Sequence, residues 1–147
     1  MINPKEKLRE YLDQLIHRFL NIKSLFQELS RIYGWYVPAR FETINMSSYF
    51  FQLSTYSMTR IYLVELAILL SEREDRSLLD WLKKANEHAK SIGPTRYNPN
   101  YSRDDHEPIK PKEYKAIIDN HISQLKSQKD VIERIKALRD KSIAHLA

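Results

Sequence analysis

The sequence predicts an all-α fold for this 147-residue chain: an antiparallel up-and-down bundle of four long helices, with one long loop before the last helix. Three observations predict it. Glycine occurs only at Gly34 and Gly93, so few turns that need positive φ can exist and the elements must be few and long. Apolar residues recur at three- and four-residue spacing over long stretches. The six prolines fall between those stretches or at their first residue, where proline interrupts nothing. Hydrophobic residues at 42% and charged residues at 29% fit a single globular domain over residues 1–147.

The first helix opens with Asn3 as cap, Pro4 at the first helical position and Glu6 three residues after the cap. Leu8, Leu12, Leu15, Ile16, Phe19, Ile22, Phe26, Leu29 and Tyr33 follow at helical spacing. Gly34 ends the helix, and Pro38 keeps the connection extended. A second helix is expected from about Thr43 to about Glu72. It is aromatic at first (Tyr49, Phe50, Phe51, Tyr56) and apolar nearly all round from Ile61 to Leu70. Such a helix is central in its bundle or buried in an oligomer interface. Its β-branched and aromatic residues leave a strand open over 49–64, but the absence of turn residues favours the helix. Arg60 and Glu65 inside it are candidates for an ion pair in the bundle or for a dimer interface.

Glu72-Arg73-Glu74-Asp75-Arg76 marks a turn. Ser77 with Asp80 resembles a capping box for a third helix, with Leu78, Leu79, Trp81, Leu82, Ala85 and Ala89 on its apolar face and Gly93-Pro94 at its end. Residues 93–112 read as one irregular segment, broken by Pro94, Pro99, Pro108 and Pro111. The fourth helix starts at Pro111 and carries a stripe of Tyr114, Ile117, Ile118, Ile122, Leu125, Ile132, Ile135, Leu138 and Ser142.

The absence of cysteine removes disulfides, thiol catalysis and thiolate metal sites. No uninterrupted apolar run approaches the roughly 20 residues of a membrane span, and the N-terminus lacks the pattern of a signal peptide. The expectation is a cytoplasmic protein without a membrane partner. The sequence has no G-x-x-x-x-G-K-[ST], G-x-G-x-x-G or H-E-x-x-H, so nucleoside triphosphatase and zinc-protease chemistry find no signature. Charge is uneven. Residues 1–82 carry ten Lys/Arg and ten Asp/Glu, while residues 83–147 carry fourteen and nine and so hold the whole net charge of +5. A polyanion would meet the second half.

The segment Arg139-Asp140-Lys141-Ser142-Ile143-Ala144-His145 closes the last helix. An imidazole titrates near neutral pH and suits proton transfer. A guanidinium presents a planar fork of donors to a phosphate. Near a helix C-terminus the dipole favours the imidazolium form. Both residue types also suit a helix C-terminus for dipole reasons alone. Six residues turn the side chain by about 600°, so Arg139 and His145 point in different directions if the helix stays regular.

This segment resembles the signature of the HEPN superfamily, an Arg followed by a His near the end of a long helix with a small polar residue after the Arg, here Asp140. Its context, Leu138-Arg139-Asp140-Lys141 leading to Ile143-Ala144-His145-Leu146, is most similar to the AbiU-type branch, associated with abortive phage infection. The resemblance implies a toxin or antiviral effector that cleaves RNA without metal or cofactor, acts as a homodimer and is held in check, where one exists, by an antitoxin protein. His145 would serve as base or acid, Arg139 would hold the phosphate, and Asp140 would orient or polarise one of them. The alternative is a noncatalytic helical module of the same family that binds RNA, a nucleotide or a protein regulator.

Further RNA contacts are sought in Lys141 and in the loop, where Arg96, Tyr97, Tyr101 and Arg103 interleave cations with aromatic rings that can stack on bases. His106 and Lys110 flank the same stretch, but so do Asp104, Asp105 and Glu107, which favours a tethered surface loop. Asp104 to Glu107 do not form a metal site, because four consecutive residues cannot surround an ion. His17 and His121 border apolar faces, and His88 falls on a charged one.

Overall fold

The computed structural model describes residues 3–34, 45–72, 76–93, 95–96 and 107–144. Among the described residues the regular structure is helical apart from one ladder of two two-residue strands. In chain order its elements are α1 (Pro4–Gly34), α2 (Ser48–Leu70), α3 (Leu78–Glu87), α4 (Ala89–Ile92), β1 (Thr95–Arg96), β2 (Glu107–Pro108), α5 (Pro111–Ser127) and α6 (Lys129–Ala144).

α1 starts as its sequence directs. The Asn3 side chain accepts from the Lys5 N–H at 3.0 Å, and the Asn3 carbonyl accepts from Glu6 and Lys7 at 3.0 and 3.1 Å. Those bonds satisfy amides that the first turn otherwise leaves without partners. α2 is a helix throughout, which removes the strand alternative for 49–64. It begins at Ser48 because Ser47, at φ −143°, stands outside helical geometry, and it stops at Leu70 because Ser71 turns to extended backbone. The expected start near Thr43 lies outside the described residues.

Two further expected helices are each broken once, as the second is at Ser47, which follows helical backbone at residues 45–46. The third divides at His88 into α3 and α4, and Gly93 then ends α4 in the left-handed conformation at φ 59°. The fourth divides at Gln128 into α5 and α6. At this break the Ser127 hydroxyl donates to the Gln124 carbonyl at 2.7 Å, competing with the Gln128 amide, which would bond the same oxygen in a continuous helix. That amide turns to Leu125 instead, at 3.1 Å. The segment expected to be wholly irregular also carries structure: β1 and β2 pair antiparallel, Thr95 with Pro108 and Arg96 with Glu107.

α1 packs on both α2 and α3, α6 packs on α2, and α5 packs on α3. α1 and α2 run antiparallel, since Arg18 meets Glu65 while Phe26, further along α1, meets the earlier Tyr62 of α2. One buried cluster joins Leu15, Ile22 and Leu69. A second joins Leu82, Ala85 and Ile118. Leu78 and Trp81 of α3 touch both, so α3 is the bridge between the α1–α2 layer and the α5 layer. A fully buried Leu contributes about 1.5–3 kcal/mol, which makes Leu79 and Leu82, both nearly sealed from solvent, the main apolar anchors of that bridge.

Polar contacts fix its position. The Trp81 indole N–H donates to the Leu8 carbonyl at 3.1 Å, and the Tyr11 hydroxyl lies 2.9 Å from both the Ser77 carbonyl and Asp80 Oδ2. The Ser77 hydroxyl accepts from the Asp80 amide at 3.2 Å, as the capping pattern requires. Lys84 closes on Asp80 at 2.6 Å and lies over the Tyr11 ring. Arg76, just before the cap, has φ 82°, a costly conformation for a residue with a Cβ.

Glu65 pairs with Arg18 of α1 at 3.1 Å. Arg60 is no partner for it, because five residues along a helix place two side chains roughly 140° apart. By length and composition alone α2 is apolar enough to cross a bilayer, which the count of uninterrupted runs did not show. In this fold it lies between α1 and α6.

Two outcomes follow from these contacts. Burial pushes the Asp80 carboxyl up, but the hydrogen bonds from Lys84 and Tyr11, the Lys84 charge and the Arg76 amide together outweigh it and hold the carboxyl below its ordinary 3.8. A carboxylate lowered on folding stabilises the fold above its ordinary pKa, and that contribution disappears as pH falls from there through the folded value. Melting curves should therefore show stability falling below about pH 4, with Asp80→Asn flattening that part of the profile and lowering stability at neutral pH. Glu65→Gln leaves the partly buried Arg18 charge without its carboxylate, so urea denaturation should show a loss of about 1–2 kcal/mol.

Candidate functional site

The motif sits on the last turns of α6. Ile132 is buried, and Ile135, Lys136, Arg139 and Ser142 are half-buried. This three- and four-residue spacing defines one stripe, and α2 is the long helix against which α6 packs. Arg139 thus lies on the packed edge of α6, with its side chain 24% exposed, while Asp140 beside it is 65% exposed. Arg139 Nε donates to Asp140 Oδ1 at 2.8 Å, and Nη2 lies 2.8 Å from the same oxygen. One edge of the guanidinium is therefore spent on Asp140. Among the described residues the edge formed by Nη1 and the second proton of Nη2 has no partner, and it presents two donors to another oxyanion.

The end of α6 is tied down from α2. The Tyr56 hydroxyl donates to the Ser142 carbonyl in the last described turn at 3.4 Å. The Ser142 hydroxyl is buried with no partner among the described residues. Sequence reasoning placed Tyr56 only in the aromatic start of the second helix. A contact across 86 positions leaves no local signal that could have found it.

Arg139, Asp140 and Lys141 are consecutive on α6. α6 is helical through Ala144, and His145 lies outside the described residues. So do Tyr97, Tyr101 and Arg103 of the loop, together with Asp104, Asp105 and His106. The backbone of Arg96 is placed in β1 opposite Glu107. That ladder makes no contact with α6 among the described residues, so within one chain the structure does not bring the loop base to the motif.

The clefts between the early helices have other linings. One of about 380 Å³ is bordered by Gln14, His17, Arg18, Asn21, Glu65 and Arg76. His17 lies at its rim on the exposed side of α1, while His121 is exposed on α5 and His88 is half-buried at the α3–α4 break. Comparison with known protein families, with characterised proteins and with solved structures finds no match to this chain.

The Tyr56 tether has a local consequence. Its bond is long and exposed, so Tyr56→Phe should change global stability by no more than about 0.5–1 kcal/mol. Amide exchange in residues 141–144 should nonetheless speed up relative to residues 132–136. Equal protection in the two proteins would show that the hydroxyl does not hold the last turn.

Proposed function

We propose that this protein is a metal-independent endoribonuclease of the HEPN type, acting in the cytoplasm as a homodimeric toxin or antiviral effector. The supporting observation is the arrangement at the end of α6. Arg139 is half-buried and fixed by Asp140 on one edge, with the other edge of its fork available, in the last turns of the helix that leads to His145. A preorganised guanidinium is one of the two groups that phosphoryl transfer needs when RNA supplies its own nucleophile, and an imidazole is the other.

In this reading the 2′-oxygen of a ribose attacks the adjacent phosphorus and loses its proton to a base. The bond from phosphorus to the 5′-oxygen breaks, and that oxygen takes a proton from an acid. The products are a 2′,3′-cyclic phosphate and a 5′-hydroxyl. His145 exchanges one of these protons, Arg139 stabilises the charge growing on the phosphate oxygens, and Asp140 keeps the guanidinium oriented. Two copies bring two motifs into one cleft. Lys141 and the loop residues Arg96, Tyr97, Tyr101 and Arg103 add RNA contacts. The up-and-down order of four helical segments and control by an antitoxin protein belong to the same reading.

The second reading, a noncatalytic helical module for RNA, a nucleotide or a protein regulator, is favoured by the contact between Arg139 and Asp140 itself, because a guanidinium already paired needs no substrate to satisfy it.

RNA cleavage by the purified protein in the presence of a metal chelator separates the two. The ribonuclease reading expects cyclic-phosphate ends, and Arg139→Ala and His145→Ala should each lower the rate by about 100-fold or more with the helical content unchanged. Cleavage that needs a divalent metal, or that both variants retain, overturns it. No cleavage of varied RNAs by a folded parent protein favours the noncatalytic module.

A further inference from the structure

One face of α1 is polar where it borders α2 and the approach to α3. Gln14, His17, Arg18 and Asn21 stand at i, i+3, i+4 and i+7, so they share one side of the helix. Glu65 of α2 and Arg76, just before α3, border the same cleft of about 380 Å³. That is the small end of the range for ligand pockets, with room for about a dozen waters.

The charges of this cleft do not cancel. Arg18 Nε lies 3.1 Å from Glu65 Oε2, and the two neutralise each other. Arg76 is left over, since its side chain is in no ion pair among the described residues. Only its backbone is committed, through the amide that Asp80 accepts. Lys84, in the adjoining cleft that shares Gln14 and Arg76, is held by Asp80 at 2.6 Å.

Arg18 is incompletely satisfied as well. Its Nη1 is sealed from solvent and has no acceptor among the described residues. An unpaired buried donor costs about 1–3 kcal/mol, and more when it is charged. A native fold keeps such a group where an ion or a water completes it. The remaining lining groups are donors too: the carboxamides of Gln14 and Asn21 and a ring N–H of His17. A cation would meet Arg18 and Arg76 here, and an apolar ligand would leave Nη1 stranded. Two guanidiniums against one carboxylate suit a single negative group rather than a polyphosphate. The only ring in the lining is that of His17, exposed at the rim, so a nucleobase has no pair of rings to lie between.

We propose that this cleft binds one compact oxyanion, the carboxylate or phosphate group of a small molecule, between Arg76 and Arg18 with Gln14 and Asn21 as further donors. Arg76 meets the anion at the mouth. Arg18 pivots about its bond to Glu65 to bring Nη1 onto an anion oxygen, and Glu65 keeps the guanidinium from swinging out to solvent. The site is built from α1, α2 and the residue that leads into α3. It shares no residue with the Arg139 motif and stands without the ribonuclease reading.

Amide resonances of the full chain, followed by NMR as sodium acetate or sodium phosphate is added at fixed pH, test it, with sodium chloride at matched ionic strength as the control. Saturable shifts are expected at residues 14–21, 65 and 76 with acetate, phosphate or both, and the tighter of the two identifies the head group that the site takes. Chloride should give small shifts that do not saturate. Arg76→Gln keeps the backbone amide that Asp80 needs and should weaken binding about tenfold or more. Arg139→Ala should bind as the parent does, so failure of the RNA-cleavage experiment leaves this result standing. Shifts that chloride reproduces, that saturate with neither anion, or that Arg76→Gln leaves unchanged overturn the proposal. Binding that Arg139→Ala abolishes belongs to the motif and overturns it too.

Discussion

The carboxylate of Asp80 ties the first turn of α3 to α1. It takes the Lys84 ammonium and the Arg76 amide and lies within reach of the Tyr11 hydroxyl, while its own amide is held by Ser77. Because the Tyr11 hydroxyl also reaches the Ser77 carbonyl, the start of α3 and the N-terminal third of α1 cannot shift independently. The helix so placed carries Leu78 and Trp81 into both apolar clusters. If that turn moved, α5 would lose its floor, and the link between the two layers would go with it. The left-handed backbone at Arg76 is the local strain that aims an amide at this carboxylate, and it is tolerated because the bonds around it are many.

Much of this was legible in the residues. Asn3 and Pro4 announce the start of α1, and Ser77 with Asp80 announces the start of α3. Gly93 marks the end of α4. These signals are local, since a capping side chain acts on an amide two or three positions away. The breaks were less legible. Nothing in Ser127-Gln128 compels a discontinuity, because serine back-bonding is one of several options open to that side chain, and tertiary packing selects among them. The partner of Glu65 was out of reach for another reason. Helical geometry rules out Arg60, but only the docking of α1 supplies Arg18. Around the motif, Asp140 beside Arg139 could be read from adjacency, whereas Tyr56 could not.

The proposed chemistry uses α6, the helix that shares α2 with α1. α1 makes no contact with α6 among the described residues, and α2 is the element that touches both. Charge follows the same division. The half of the sequence that contains α1 and α2 is neutral, and the half that contains the motif is basic. The half that carries the proposed chemistry is thus the half that would attract a polyanion.

The break at Gln128 divides the final thirty-odd positions between two allegiances. α5 belongs with α3, and α6 belongs with α2. A continuous rod would transmit opening of either end to the other. A hinge residue with its own backbone geometry lets each half open as a separate cooperative unit. Loosening of α6 from α2 would therefore leave the packing between α3 and α5 intact.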